Sequence, residues 1–398
     1  MSYEEFREQL VDRIEEKLEW RDLATFVPNK KTPIYNWFYY KEGFAKELVE
    51  KLLEMFEIKE GATALDPFCG SGTTLLVCKE KSIKSVGYDV LPVSVFATRV
   101  KTADYDTDLL RENMQIISRA RFAQLNTKGK FPGIFYRAFS KYALEDIAFL
   151  RSMIIHLDRE VREFFVLALM NAAIKCSYTY KDGSVIKIKK KHVAPLRKMF
   201  RHVVSKMIRD IEKSPRTEAS IRVELEDARS LDLDDNSVDV VITSPPYLNN
   251  IDYTKVYSIE EYFIYGEPVP GVRAYIGLQA KDSDFLSEIP LPIQARLYFE
   301  DMNKVLQELY RVLKKDGHAA IVVGNGYVRR SVASSTSQNA SHSEDVNEVI
   351  ESDIILAYLA AELGFEVEKI LVLNKRFALE DRTVKKGVLR ESLLILKK

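Results

Sequence analysis

The chain has 398 residues but only three cysteines, five histidines and two tryptophans. Cys69, Cys78 and Cys176 stand at no metal-ligand spacing and the histidines are scattered. Neither a structural zinc nor a disulfide framework is therefore expected, and a reducing compartment is. Charge of one sign is also lacking: the net charge is zero. That excludes a uniformly basic surface but not a local basic patch. No apolar run approaches the ~18 residues needed to cross a bilayer. The N-terminal MSYEEFREQLVDRIEEKLEW is amphipathic and charged, without the apolar stretch of a secretory signal. These absences point to a cytoplasmic protein with no membrane partner. What is present is a folded composition, 46% hydrophobic and 30% charged, with room for a large core. Lys, Glu, Ile and Tyr are abundant and Gln is scarce, a bias common in thermophile proteins.

Periodicity gives the organisation. Leu10, Ile14 and Leu18 predict a helix over residues 3–20. FVPNKKTPIYNWFYYKEGF, broken by Pro28 and Pro33, reads as a loop. Residues 43–56 read as a helix. GATALDPFCGSGTTLLVCKEK then reads as strand, glycine turn and helix, and IKSVGYDV as a second strand. From 105 to 219 long amphipathic stretches dominate, with a basic segment, KIKKKHVAPLRKMFRHVVSKMIR. This predicts a helical, partly basic insertion that is a candidate for target recognition. The alternation resumes with IRVELEDA and VDVVITSPPY. A helix with a stop at Gly317 follows, then HAAIVVGN, a polar loop over 329–346, a helix over 350–363 and a terminal strand pair. The expected fold is α/β, a doubly wound, mostly parallel sheet. Residues 1–104 and 220–398 would supply its two halves, and 105–219 the insertion.

In ALDPFCGSGTTLL, Gly70-Ser71-Gly72 lies between a strand and a helix. Glycines permit a tight turn and close approach of a ligand, and the helix start offers unpaired N–H groups. Asp89 ends the next strand, where an acid can hold a ribose diol. A dinucleotide site would want a third glycine at position 75, which is Leu. Asp66 would repel a pyrophosphate but suits the sulfonium and ammonium of S-adenosylmethionine. There is no phosphate-binding P-loop pattern. Asp227-Ala228 ends a further strand, and the acid there can accept from an adenine amino group.

VDVVIT runs into Ser244-Pro245-Pro246-Tyr247. In a doubly wound sheet, ligands sit at the carboxyl ends of strands. Two prolines remove two donors and fix two φ angles, leaving rigid acceptors. Ser244 Oγ and the Pro245 carbonyl suit the two hydrogens of an exocyclic amine, whose lone pair must be freed to attack a sulfonium methyl. Tyr247 offers a face for stacking on an unpaired base. Positioning supplies much of the rate, and no covalent nucleophile is required. No Pro-Cys dipeptide occurs, which excludes cytosine-C5 chemistry of that kind, and Cys69 reads as a packing residue.

DPFCGSGTT together with TSPPY resembles the S-adenosylmethionine-dependent amino-methyltransferases of nucleic acids, which have a Rossmann-like sheet and act on cytosine N4 or adenine N6. The likeness covers most of residues 25–105 and 220–398. Ser-Pro-Pro-Tyr is similar to the form typical of cytosine-N4 enzymes, and Asp-Pro-Pro-Tyr is commoner in adenine enzymes. The resemblance implies that Asp66, Pro67, Phe68, Gly70, Gly72, Thr73, Asp89, Val90, Asp227, Ala228 and Thr243 serve the cofactor. It implies that Ser244, Pro245, Pro246 and Tyr247 meet the target base. TPIYNWFYYKEGF looks like the family's extra cofactor motif, which adds Thr32 and Pro33. No metal is implied. Many members carry the catalytic motif before the glycine motif. Here the order is reversed, so target recognition does not carry over from them.

The motifs do not separate RNA from DNA. The basic segment fits phosphates of either, and Tyr178, Tyr180, Tyr253 and Tyr257 are candidates for stacking. Zero net charge, the short insertion and a similarity to archaeal enzymes of ribosomal RNA cytidine N4 favour RNA or a ribosomal subunit as partner. A site-specific DNA cytosine-N4 enzyme, or less readily an adenine-N6 one, alone or beside a restriction endonuclease, is the alternative. A nicotinamide oxidoreductase would share the fold, but the missing third glycine and the Ser-Pro-Pro-Tyr turn count against it. A catalytically silent nucleic-acid binder would not need the Ser-Pro-Pro-Tyr acceptors.

Overall fold

The computed structural model describes residues 1–182, 185–215, 217–248, 253–266, 276–277, 283–333, 343–380 and 384–398. Helix α1 (Tyr3–Leu10) starts with a capping box in which Ser2 and Glu5 bond reciprocally. It ends at Leu10, short of the span expected from spacing. Ile14–Glu16 forms β1 instead, paired with a later strand at the sheet edge. Ladder pairing there outweighs the helical spacing of Ile14 and Leu18. Next come α2 (Lys46–Met55), β2 (Thr63–Asp66), α3 (Thr73–Glu80), β3 (Lys84–Asp89) and α4 (Pro92–Thr102). The insertion holds α5 (Thr107–Arg119), α6 (Gly133–Ala138), α7 (Lys141–Ile154), α8 (Arg159–Lys175) and α9 (Leu196–Lys213). Before α9 lies an antiparallel pair, β4 (Thr179–Asp182) and β5 (Val185–Ile188), in an insertion expected to be helical. Then follow β6 (Ile221–Leu225), β7 (Val238–Thr243), α10 (Tyr253–Val256), α11 (Ser258–Tyr265), α12 (Ile293–Val312) and β8 (Leu313–Gly324). The chain closes with β9 (Gly326–Ala333), β10 (Ser343–Ile350), α13 (Ser352–Glu362), β11 (Glu366–Glu380) and β12 (Val384–Lys397).

Among the described residues one sheet has the order β1-β11-β12-β8-β7-β2-β3-β6. The five strands from β8 to β6 run parallel, and β12 alone runs against its neighbours. Chain order reverses between β2 and β7, the switch point at which such sheets bind ligands. Alternation assigns the faces. Val240, Ile242, Ala320 and Val322 face α2 and α3, whereas Val241, Ala319, Ile321 and Val323 face α12 and α13. Strands buried on both sides read as unbroken apolar runs, which is why VVIT and AAIVV were legible.

Two other expectations change. The helix before Gly317 ends at Val312, and Gly317 lies inside β8. A Cβ there would come 3.1 Å from the Asp239 carbonyl oxygen, so this glycine permits close strand approach at a register shift between β7 and β8. The polar stretch 329–346, read as a loop, belongs largely to the antiparallel pair β9–β10. Its central part, 334–342, lies outside the described residues. The insertion shares its core with its surroundings. One cluster joins α7, α8 and α9 to Trp37, Phe38, α4 and α11, and the Trp37 indole donates to Asp210 at 2.9 Å. Among the described residues no helix is long and apolar enough to cross a membrane.

Candidate active site

A cavity of about 400 Å³ opens at the carboxyl ends of β2, β3, β6 and β7. Its first wall is the glycine turn. Gly70 has φ +50° and Gly72 φ +77°, conformations that favour glycine. Space also demands it: a Cβ on Gly72 would lie 2.5 Å from Thr98 Cγ2, and one on Gly70 2.9 Å from Tyr40 Cε1. The Gly70 N–H donates to Asp89 Oδ2 at 2.9 Å, and the Leu91 N–H to Oδ1 at 2.8 Å. Burial pushes Asp89 up to about 7, against those two donors. Asp66 is pushed up to about 6, again by burial, and is opposed first by the Thr243 hydroxyl, which donates to it at 2.7 Å. Lys101, also buried, donates to the Ser71 carbonyl and ties α4 to the turn.

Of the expected cofactor residues, Asp66, Pro67, Phe68, Gly70, Thr73, Asp89, Val90, Asp227 and Ala228 line this cavity. Gly72 and Thr243 do not; they stand behind it, shaping the turn and orienting Asp66. Thr32 and Pro33 are corrected. Thr32 donates to the Pro28 carbonyl and Pro33 is exposed. Short 3₁₀ turns at Pro28–Lys31 and Tyr35–Trp37, with Ile34 at φ +64° between them, fold this half of the segment away from the cavity. The later half, Tyr40–Phe44, lines it together with Ala24 and Thr25. Buried Asn29 fastens the segment, bonding the Phe44 carbonyl, the Lys46 N–H and the Thr73 hydroxyl. Asp227 is less available than expected, because Arg229 clamps both its oxygens and also meets Asp301 at 2.8 Å.

Ser244, Pro245, Pro246 and Tyr247 line the other side. The Pro246 carbonyl accepts from Tyr298 at 2.9 Å. Tyr247 lines the cavity with one side of its ring braced. Its ring lies against Gly324, where a Cβ would come 2.5 Å from Cδ2, and its phenol donates to Glu391 Oε1 at 2.8 Å. Sequence reasoning missed Asn374, Arg376 and Glu391, which line the same side. Asn374 and Glu391 are partners across β11 and β12, beside a bulge at Leu373, and bulges re-aim side chains next to sites. No local motif marks them, since register alone brings them here.

The segment after the catalytic turn carries α10 and α11. Tyr257 there donates to Glu42 on the cavity wall and stacks on Tyr40 at 5.3 Å. Lys181 of β4 sits 3.3 Å above the Tyr257 ring and pairs with Glu260 at 2.7 Å. The insertion hairpin is thus fixed beside the cavity rim. From it runs a stretch with no Asp or Glu between Asp182 and Asp210, against nine Lys and Arg. Lys187, Arg197 and Lys206 are ion-paired. Lys189, Lys190, Lys191, Lys198 and Arg201 are exposed, without ion pairs among the described residues.

Size and chemistry fit S-adenosylmethionine. The volume is that of a small-molecule site, the Asp66 and Asp89 carboxylates line it as a cationic ligand requires, and each Asp89 oxygen keeps a lone pair beyond its backbone bond. Comparison of sequences agrees. The chain is 30% identical over 60% of its length to the type II methyltransferase M.BsoBI of Geobacillus stearothermophilus, spanning about half of that relative, 54%. It is 26% identical to M.AvaI of Nostoc sp., over 92% of this chain and 86% of the relative. Among solved structures, a SAM-dependent methyltransferase from Methanosarcina mazei aligns at TM-score 0.33 and 12% identity, over 87% of this chain and 96% of the other. The family model described as DNA methylase, of N6 and N4 type, matches residues 4–94 and 238–387, the two stretches that hold the glycine turn and Ser-Pro-Pro-Tyr. The chain belongs to that DNA methylase family, and S-adenosylmethionine is its cofactor.

Proposed function

We propose that this protein transfers a methyl group to the exocyclic N4 of cytosine in DNA. The observation that carries the reading is one cavity with the glycine turn on one wall and Ser244–Tyr247 on the other. The methyl donor and the amine would meet between them. Ser244 in place of an acid supports cytosine, by the resemblance of its motif. The family description supports DNA over the ribosomal RNA favoured from sequence. Exposed Lys189–Lys191, Lys198 and Arg201 are the phosphate contacts in this reading, which makes residues 105–219 the target-recognition unit.

Asp66, Asp89 and the turn amides hold the cofactor. Ser244 Oγ and the Pro245 carbonyl take the amine hydrogens, and the target base is turned out of its stack to reach them. The test is transfer from labelled S-adenosylmethionine to genomic DNA, stripped ribosomal RNA and ribosomal subunits, each digested to nucleosides for mass spectrometry. N4-methyldeoxycytidine is expected. N6-methyldeoxyadenosine would reassign the base, and label confined to RNA would restore the ribosomal reading.

A further inference from the structure

Ser244 poses a chemical problem. When N4 bonds to the methyl carbon, the nitrogen gains positive charge and must lose a proton. A carboxylate at that position would keep the proton. A serine hydroxyl, already carrying its own, can only pass one on. A recipient must therefore stand behind it.

The structure holds one. Ser244 and Tyr247 stand in one turn and line the cavity together with Glu391, and the Tyr247 phenol donates to Glu391 Oε1 at 2.8 Å. Glu391 lines the cavity and has no ion pair among the described residues. It belongs to the opposite face of β12 from Arg390 and Ser392, which both bond the buried Asp353. The other face of the strand is thus the one tied to α13, and Glu391 is turned toward the catalytic motif. The Tyr247 ring cannot drift, being held against Gly324.

We propose that Ser244, Tyr247 and Glu391 form a proton relay whose terminal base is Glu391. The inference rests on the amino-methyltransferase reading above. As the N4–CH₃ bond forms and the S–CH₃ bond breaks, with its electron pair going to sulfur, an N4 proton moves to Ser244 Oγ. The Ser244 proton passes to Tyr247 Oη and the Tyr247 proton to Glu391. The sulfonium loses one positive charge and the carboxylate one negative charge, so the step is balanced. Ser244 touches the substrate, and Glu391 acts through Tyr247.

The test uses the full-length protein with Glu391→Gln and Tyr247→Phe, singly and together. Gln still accepts from the phenol but cannot hold the proton; Phe keeps the ring on Gly324 but cuts the chain. Single-turnover transfer should fall about 10²-fold in each, the range of general acid–base catalysis. The double variant should be no slower than the worse single one, because links of one chain do not add. Affinities for S-adenosylmethionine and DNA, read by calorimetry and fluorescence anisotropy, and the melting temperature should stay unchanged. Full transfer by Glu391→Gln, multiplied losses in the double variant, or a loss explained by weaker binding would overturn the relay. Wild-type transfer to DNA and RNA is run alongside and scores only the proposed function. The relay is judged by the ratio of variant to wild type on whichever base is methylated.

Discussion

At the level of single residues the glycine turn was the most legible part of the site, because its constraints are local. A φ of +77° at Gly72 with Thr98 at its back can be met by no side chain without strain of about 1–3 kcal/mol. Gly72→Ala should therefore lower the melting temperature and weaken S-adenosylmethionine binding at least tenfold by calorimetry. The two acids of the site make a pH prediction. Burial raises Asp89 to about 7 and Asp66 to about 6, whereas an unfolded Asp titrates near ~4. The folded, ligand-free protein thus holds protons that the unfolded chain has released. Their stabilising contribution is full below about pH 4 and is lost as pH rises through 6 to 7. Asp89→Asn should reduce that loss, seen as a higher ligand-free melting temperature at pH 8, while cofactor affinity falls. The cationic cofactor binds the ionised pair, so wild-type affinity should increase from pH 6 to 8. Glu391 and Asn374 were illegible for the opposite reason: nothing in their own sequence neighbourhood distinguishes them from other polar residues on an edge of a strand.

Among the elements, the strands with continuous apolar runs were recovered, and the failures are of two kinds. β1 and the early end of α12 are decided by partners distant in sequence, whereas β9–β10 and β4–β5 pair neighbouring strands whose polar composition hides them. The attachment of the β4–β5 hairpin is testable. Lys181 meets the buried Glu260 at 2.7 Å. Lys181→Met leaves that carboxylate without its partner and should cost about 3–5 kcal/mol in urea-induced unfolding, with Lys181→Arg losing less. The basic run beyond β5 makes a separate claim. Replacing Lys189, Lys190 and Lys191 together by Ala should weaken DNA binding and flatten its salt dependence by roughly one unit of slope for each phosphate contact removed. Cofactor affinity should not change.

For the whole molecule, the doubly wound sheet was readable from the alternation of strands and helices, but the standing of the insertion was not. Composition sets residues 105–219 apart, whereas packing joins them to Trp37, α4 and α11 in one core. We expect calorimetric and van't Hoff enthalpies of unfolding to agree, with no separate transition for the insertion. The column of Lys181, Tyr257 and Tyr40, the last lying over Gly70, has a consequence beyond stability. In the proposed function the cofactor lies at the Tyr40 end of this stack and the hairpin leading to the basic run at the other, so ordering the stack for the first ligand should lower the cost for the second. By thermodynamic linkage the assistance is mutual and equal. S-adenosylhomocysteine should tighten DNA binding, DNA should tighten S-adenosylhomocysteine binding by the same factor, and Tyr257→Ala should bring both factors toward one. An enzyme wired in this way holds its target longest when it is already loaded.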